Sequence, residues 1–481
     1  MKKMKKIILL ALLMVFTFSC EDFEGWNIDE KHPAEVSGAY LFTNAEKELA
    51  IRMQSTSVNY NIFKLFAQQW NETVYTDESN YDLAGRNIGG NFWTNLYYGV
   101  LANTTAAKKA IPNEVLIGEN QAANQLAMIE ILEIYTFHIL VDTYGNVPYS
   151  EALLGLENLI PKYDDDAEIY ADLARRLDLA LNTLSLGGVG FGDADLFYSG
   201  DIDSWIMLGN SLKLKMAVRI SDADPTTAKS MATAAYAAGV MDNNSDNLVF
   251  PFESTPPNNN PIWGSLVQSG RNDFVVADTY VDLIVPLNDP RTPIFLDDNL
   301  APDPYKGGPY GEGSTYSAHT HIGDAFHEPD FEGMLMSASE VSFLVAEAGA
   351  RGLIEADPAA YYEKGIKMSM DRWDVDPAEA DAYVAQASVA YNATEWKKSI
   401  GTQKYLSLFG RGFEAWASWK LLDEPAIMKR PPVSELPVPR RYIYPNSEED
   451  VNGANYEAAS SAIGGDALNS RVFWDINGNG N

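Results

Sequence analysis

Apolar positions recur along this chain mainly at the spacing of α-helices. The clearest case is the stretch 121–141, which is apolar nearly all round and is interrupted by Glu130, Glu133 and His138. A helix without a clear polar face belongs in a protein core, and these three side chains make it a poor membrane span. We predict a central buried helix that stops before Gly145 and Pro148, because neither residue favours its continuation.

Further helices are predicted on both sides of this one. Apolar residues at helical spacing predict helices over 34–57, 59–70 and 92–111, and another one starts at the acidic cap 164–166. From Ser337 onward, short helices follow one another in pairs, and small residues such as Ala346 and Gly365 allow close packing. These pairs resemble tetratricopeptide-like units without a strict repeat. The predicted fold is mainly α, an α–α superhelix of degenerate tetratricopeptide-like helix pairs.

The segment 242–332 differs in character from the rest of the chain. Proline and glycine recur throughout it, and helical periodicity is weak. A long irregular segment inside a compact domain is usually functional or disordered, and the aromatic residues of this one argue against disorder. We therefore predict one domain over 34–481 that carries a large loop-rich insertion with a functional role.

Charge narrows the range of possible partners. The chain has 35 Lys and Arg against 67 Asp and Glu, for a net charge of -32. Such a surface repels phosphates, which argues against a nucleic-acid partner. The sole cysteine, Cys20, excludes an internal disulfide and a cysteine metal site.

The N-terminal residues predict export and lipid anchoring. A basic start is followed by the apolar run 7–18, which is too short to span a bilayer. We predict a signal peptide over 1–19, cleavage before Cys20, and a lipid-anchored tether over 20–33. The cysteine context resembles a bacterial lipobox, and the acidic run 21–24 resembles the surface-export signal of Bacteroidetes lipoproteins. The expected location is the outer membrane, facing the medium.

Catalytic and metal motifs are weak. No HExxH, GxSxG or P-loop pattern occurs, although abundant carboxylates leave a paired-acid glycoside hydrolase open. His319, His321 and His327 could ligate zinc, but in a loop such a cluster is more often incidental. The stretch 475–481 opens like a calcium loop and stops before the carboxylate at position 12. We predict no catalytic residue, no metal ligand and no cofactor, with calcium left open.

The aromatic content points to sugar binding more directly. Sugars present apolar C–H faces that aromatic rings cover and hydroxyl edges that Asn, Asp and Arg satisfy. Some aromatic, amide and guanidinium side chains lie in or beside the loop 71–93 or the insertion. These are the predicted ligand-binding residues: Trp70, Asn71, Tyr81, Arg86, Trp93, Trp263 and Arg271.

Several stretches resemble the SusD/RagB family of outer-membrane nutrient-binding lipoproteins, in its SusD-like branch. The most specific is Asp-Thr-Tyr-Gly-Asn-Val-Pro-Tyr-Ser-Glu-Ala at 142–152. The other matching stretches follow in family order over most of the mature chain: 198–201 with Trp205, 210–221, 289–291, 346–348 with 351–352, 403–409 with 414–416, and 439–445 with 455–456.

The resemblance implies a surface lipoprotein that captures an oligosaccharide, or a peptide in some relatives. It implies delivery of this ligand to a SusC-like TonB-dependent transporter, over which the protein sits as a lid. It implies no catalysis. Two alternatives remain at this point: a surface glycoside hydrolase, and a structural lid of the transporter with little ligand affinity of its own.

Overall fold

The computed structural model describes residues 36–185, 187–434 and 436–476. The predicted signal peptide 1–19, the lipidation site Cys20 and the tether 20–33 lie outside these residues, as do residues 477–481 of the calcium-like stretch. Within the described part the mainly α prediction is confirmed: helices dominate, and the strands occur only in short two-stranded sheets. No described helix combines the length and the apolar character that crossing a membrane requires.

The elements alternate long helices with short connecting strands. The α-helices are α1 (Gly38–Gln54), α2 (Phe63–Phe66), α3 (Ile88–Thr94), α4 (Ala102–Ala110), α5 (Glu119–Tyr144), α6 (Asp166–Leu184), α7 (Ile202–Arg219), α8 (Pro225–Ala238), α9 (Pro261–Trp263), α10 (Asp278–Ile284), α11 (Thr292–Phe295), α12 (Ala338–Ala350), α13 (Pro358–Arg372), α14 (Pro377–Val384), α15 (Trp396–Ser407), α16 (Gly412–Leu422), α17 (Glu448–Val451) and α18 (Gly453–Ala462). The strands are β1 (Trp70–Glu72), β2 (Val147–Pro148), β3 (Tyr163–Asp164), β4 (Leu248–Phe250), β5 (Phe274–Val276) and β6 (Gly333–Met336).

The predicted central helix is present as α5, and nearly all of its residues from Ala127 to Tyr144 are buried. The predicted helix over 59–70 is wrong. Only α2 is helical there, because Gln68 adopts a left-handed backbone conformation with φ 52° and Trp70 then enters β1. The helix predicted over 92–111 starts earlier, at Ile88, and passes through a π-helical turn, Asn95–Leu101, before α4.

Consecutive helices pack against each other in pairs. The main pairs are α5 with α6, α7 with α8, and α12 with α13. Their caps explain where several of them begin: Asp165 accepts from the first turn of α6, Asp201 from that of α7, and Asp357 from that of α13. One large apolar cluster fills the space between most elements, and a second, smaller one lies around α13 and α14.

A network of buried charges joins the helices at the centre of the molecule. The Asp142 carboxylate on α5 accepts hydrogen bonds from Arg219 Nε on α7 at 3.0 Å and from Trp474 Nε1 at 2.8 Å, and also from the Tyr170 hydroxyl on α6. Lys420 Nζ on α16 donates to the Asp142 carbonyl at 2.7 Å. Burial acts to raise the pKa of Asp142, but the facing cationic groups outweigh it and hold that pKa below its ordinary value.

The network continues from α7 to α12 and α16. Lys215 Nζ lies 2.7 Å from both Glu340 and Glu414, and Glu340 also pairs with Arg411 at 2.6 Å. Glu414 receives Arg219 as well, at 3.3 Å. These side chains are almost completely buried, so each charge depends on its partners instead of water.

The insertion begins and ends at neighbouring points of the fold. Strand β4 pairs antiparallel with β6, so that Leu248 faces Met336 and Phe250 faces Gly333. Between these strands the described chain forms only short helices, strand β5 and loops. Strand β5 leaves this segment to pair with β1.

The buried network predicts a large stability cost for one isosteric change. We expect Asp142→Asn to lower the free energy of unfolding by about 3–5 kcal/mol, because it removes one partner of a buried ion pair. Urea denaturation followed by circular dichroism measures this loss. Glu363→Gln, an exposed change on α13, should stay within about 0.5 kcal/mol. A loss below about 1 kcal/mol for Asp142→Asn would contradict the central role of the network.

Candidate functional site

Strand pairing brings together the two segments that the sequence singled out. In the β1–β5 pair, Trp70 faces Val276 and Glu72 faces Phe274. The next backbone amide, of Thr73, donates to the Asp273 carbonyl at 2.9 Å. The loop after β1 therefore lies beside the stretch that links α9 to β5, although about 200 residues separate them in sequence.

An open cavity of about 370 Å³ lies between these segments. A third segment, at the end of α1, completes its wall. The lining residues are Thr56, Ser57, Val58, Asn59, Glu72, Val74, Tyr75, Glu78, Arg86, Gly264, Ser265, Ser269, Arg271, Asp273 and Phe274. A pocket of this size with mixed apolar and polar walls suits a small organic ligand or part of a larger one.

Arg86 and Arg271, both predicted from the sequence, line this cavity. Arg86 forms an ion pair with the buried Glu78, and 41% of its own side chain remains exposed. Arg271 Nε lies 2.7 Å from Asp273 Oδ2 and is more exposed still. The guanidinium groups thus reach the cavity from its two sides. Trp263 is half-buried in α9, directly before the cavity residues Gly264 and Ser265.

The structure places Trp70, Asn71 and Tyr81 in the interior instead of on the cavity wall. Trp70 is 1% exposed and packs against Phe274. Asn71 Nδ2 donates to the carbonyls of Pro309 at 3.1 Å and Glu312 at 2.9 Å, which ties the insertion to β1. The Tyr81 hydroxyl accepts from Gln68 at 3.3 Å. In these positions the three side chains shape the loops around the cavity.

Trp93 also lies away from the cavity. It is buried in a group of tyrosines from the π-helical turn, α5, β3 and the stretch after α16: Tyr97, Tyr144, Tyr163 and Tyr444. The contacts with Tyr144 and Tyr444 are edge-on, an arrangement that aromatic rings favour in dense packing. Trp93 is therefore a core residue, although it flanks a loop in the sequence.

Sequence reasoning did not select the most exposed aromatic ring of the cavity, Tyr75. Its side chain is 65% exposed, and the adjacent Val74 is 70% exposed. The overlooked signal was the short run Trp70–Thr73, which forms a strand and its extension. Recognition of this strand would have placed residues 74 and 75 in the turn that follows it, where side chains face solvent.

A pair of carboxyl groups forms the polar floor of the cavity. Glu72 Oε2 accepts from the Ser79 amide at 2.9 Å and from the Ser79 hydroxyl at 2.7 Å, and the buried Glu78 carboxyl group lies close enough to influence its pKa. Burial raises the pKa of Glu72 to about 8; Ser79 opposes this shift and Glu78 reinforces it. At neutral pH the pair therefore holds a proton, and Arg86 balances its remaining negative charge.

The histidines do not form a metal cluster. His321 Nδ1 faces Asp297 at 3.4 Å, with its ring stacked on Tyr316 at 3.7 Å. His327 instead faces Asp324 at 3.1 Å. Across residues 36–185, 187–434 and 436–476, no group of three or more His, Cys, Asp or Glu side chains is arranged to hold a metal ion.

The calcium-like stretch lies only partly in the described chain. Its first acid, Asp475, forms an ion pair with Arg440 at 3.0 Å. This side chain is buried, so in the structure it compensates an internal cation.

A second, smaller cavity lies on the other side of α9. Its volume is about 50 Å³, and its wall includes Ile262, Phe326, Phe331, Trp373 and Phe409. Arg372 and Glu332 meet at its rim at 2.7 Å. The size of this space fits water or a very small group.

Solved structures share this architecture. A chitin-binding protein is 26% identical, with 92% of this chain and 100% of that chain aligned at a TM-score of 0.80. A chitin-binding SusD homologue from Flavobacterium johnsoniae is 25% identical over 92% of this chain and 98% of its own, with a TM-score of 0.78. A SusD homologue from Bacteroides vulgatus shares the fold at 22% identity, over 92% and 98% of the two chains, with a TM-score of 0.79.

The sequence itself matches a family model over most of its length. No curated protein matches the sequence. The SusD-like family model, described as starch-binding and associating with the outer membrane, matches residues 30–445. The helical fold, the motif residues and this match lead to one conclusion: the chain belongs to the SusD-like family of outer-membrane-associated glycan-binding proteins.

Proposed function

We propose that this protein binds a neutral oligosaccharide in the cavity between the loop after β1 and the segment before β5. We further propose that it delivers this ligand to a SusC-like TonB-dependent transporter while anchored to the outer membrane through Cys20. The observation that carries the binding proposal is the exposed ring of Tyr75 in a 370 Å³ cavity with polar walls.

The groups around Tyr75 supply the two kinds of contact that a sugar needs. The tyrosine ring and Val74 offer an apolar surface for the C–H face of a pyranose. Ser265, Ser269 and Arg271 line the opposite wall and offer donors and acceptors for hydroxyl groups. This combination supports a carbohydrate over a purely apolar ligand.

The charge balance of the cavity supports a ligand without net charge. In each of the ion pairs Arg86–Glu78 and Arg271–Asp273, the positive and the negative charge neutralise each other. Glu72 is protonated at neutral pH. A charged ligand would have to displace one of these pairings, whereas hydroxyl groups can hydrogen-bond to them as they stand.

Oligosaccharides of N-acetylglucosamine are the first ligands to test. Two structural relatives at 25–26% identity are described as chitin-binding, and the family description adds starch as a second glycan. The matched probes are chitooligosaccharides and maltooligosaccharides of equal length, with a peptide mixture as the third class.

The family comparison favours binding over hydrolysis, because relatives are described as binding proteins. A lid with little ligand affinity remains the alternative that a binding assay separates from capture.

Tyr75 and Arg271 provide the test of the binding site. We expect Tyr75→Ala to weaken binding of the preferred oligosaccharide about tenfold, because loss of an aromatic contact costs about 1–1.5 kcal/mol. Arg271→Ala should weaken it as well through lost hydrogen bonds to hydroxyl groups. Isothermal titration calorimetry on residues 21–481 measures both changes, and neither exposed side chain should affect the thermal midpoint.

The control is Tyr98→Ala, which removes another exposed tyrosine, one that does not line the cavity. Its affinity should equal that of the unaltered protein. Trp70→Ala should instead lower stability by about 3–5 kcal/mol, as expected for a buried tryptophan. Full affinity in both Tyr75→Ala and Arg271→Ala would place the ligand elsewhere, and the absence of binding to every probe would favour the structural lid.

The protonated Glu72 predicts an unusual dependence of stability on pH. In the unfolded chain this carboxyl group ionises near its ordinary pKa of 4.5, whereas the folded protein keeps the proton up to about pH 8. The folded state binds more protons between these values, so this group lowers the free energy of unfolding as pH rises through that window.

Glu72→Gln tests this assignment, because the amide copies the protonated acid and cannot ionise. Between about pH 5 and pH 8, the variant should lose less stability than the unaltered protein, as measured by urea denaturation at several pH values. The exposed variant Glu363→Gln should keep the slope of the unaltered protein. Parallel curves for Glu72→Gln and the unaltered protein would show that Glu72 is ionised in the folded state.

A further inference from the structure

A loop with outward-facing apolar side chains follows the motif 142–152. We call residues 153–160 the leucine loop. Leu156 is 93% exposed, Leu159 72% and Ile160 60%, and Leu154 is exposed as well. Single exposed apolar residues are common, but several on one short loop mark a contact surface.

Polar contacts hold the leucine loop in shape while its apolar side chains face solvent. Glu151 Oε2 accepts from Asn158 Nδ2 at 2.9 Å and from the Lys162 amide at 3.2 Å, which closes the base of the loop. Asn158 Oδ1 in turn accepts from the Ile160 amide at 3.2 Å. An ordered loop loses little conformational entropy when a partner binds.

The backbone of the leucine loop carries strain of a kind found at functional sites. Leu153 adopts a left-handed conformation with φ 62°. For a non-glycine residue this costs on the order of 1 kcal/mol and is maintained only where surrounding contacts impose it.

The C-terminal helices extend the same surface. Asn452 Nδ2 donates to the Pro161 carbonyl at 2.8 Å, and Asn455 Nδ2 donates to the Ile160 carbonyl at 3.1 Å. These bonds bring α17 and α18 against the end of the leucine loop. Val451 on α17 is 62% exposed and adds a further apolar side chain to this side of the molecule.

Acidic side chains accompany the apolar ones. Glu157 lies within the leucine loop, and Glu449 and Asp450 lie on α17 beside Val451; all three are exposed. The nearby cation Lys162 is already paired with Asp164 at 3.1 Å. The surface is therefore apolar with an acidic border.

The apolar side chains and their acidic border favour some binding partners over others. A second copy of the chain would bring two acidic borders together in a symmetric interface, which like-charge repulsion disfavours. An anionic membrane surface is repelled for the same reason. A different protein that presents apolar side chains bordered by lysine or arginine would bury the leucines and compensate the acids.

We propose that the leucine loop, together with Val451, is a docking surface for such a protein, and that this partner is the transporter to which the bound ligand is delivered. The assignment rests on the proposed function. It adds the surface through which the two proteins associate, at a place separate from the ligand cavity.

The test is a double substitution, Leu156→Glu with Leu159→Glu, in the full-length lipoprotein expressed together with its transporter. We expect at least a tenfold loss of co-purified transporter from detergent-solubilised outer membranes, with oligosaccharide affinity and thermal midpoint unchanged. Leu179→Glu is the matched control, since Leu179 is 55% exposed on α6, and it should retain the complex.

Site-specific photocrosslinking gives an independent readout. A photoreactive amino acid at position 156 should crosslink to the transporter, whereas one at position 179 should not. Retention of the complex by the double variant, without a crosslink from 156, would overturn the proposal. Two other results would also overturn it. One is a dimer in sedimentation that the double substitution abolishes, and the other is binding to vesicles of phosphatidylethanolamine and phosphatidylglycerol that the double substitution abolishes.

Failure of the proposed function is distinguishable from failure of this docking surface. If the unaltered protein does not associate with the transporter, both fail at the level of delivery. If the protein associates with the transporter through another surface, only the assignment of the leucine loop as the docking surface is wrong. If association depends on the loop but no glycan binds, the docking surface stands and the capture of oligosaccharide is wrong.

Discussion

The Asp142 carboxylate and the Arg219 guanidinium are buried away from water, and their burial constrains the whole structure. Each charge needs its partners in place, because unpaired buried charges are costly. The partners come from α5, α6, α7, α16 and the C-terminal stretch around Trp474. The helices can slide or rotate only by breaking several of these bonds at once, so the network fixes their relative positions as well as adding stability.

The helical frame could be predicted from the sequence because its signals are local. The buried helix α5 and the acidic cap of α6 follow from apolar spacing and cap chemistry alone. The charge network could not be predicted in this way. Asp142 and Arg219 lie 77 residues apart, and each one by itself looks like a polar interruption of an apolar stretch. Only the family resemblance drew attention to the segments that contain them.

Residue type alone selected segments of the candidate site but not its individual side chains. It pointed to the loop after β1 and to the stretch near Arg271, and the β1–β5 pairing brings these two segments together. Residue type could not distinguish a ring that faces solvent from one that fills the core. Trp70 and Tyr75 lie five residues apart, yet the strand buries one and the following turn exposes the other. The three-residue strand β1 determines which of the two rings is buried, and so short a strand has no clear alternating pattern in the sequence.

The closing of the insertion by β4 and β6 bears on how new binding properties can arise. Because Leu248 faces Met336 and Phe250 faces Gly333, the chain leaves the helical frame and returns to it at adjacent points. Between these strands, β5 pairs with β1, and Asn71 of β1 donates to the carbonyls of Pro309 and Glu312, so the insertion is also built into the helical frame. A segment exchanged at these two positions would have to bring the same contacts to β1, which defines what a hybrid protein with a new cavity wall must retain.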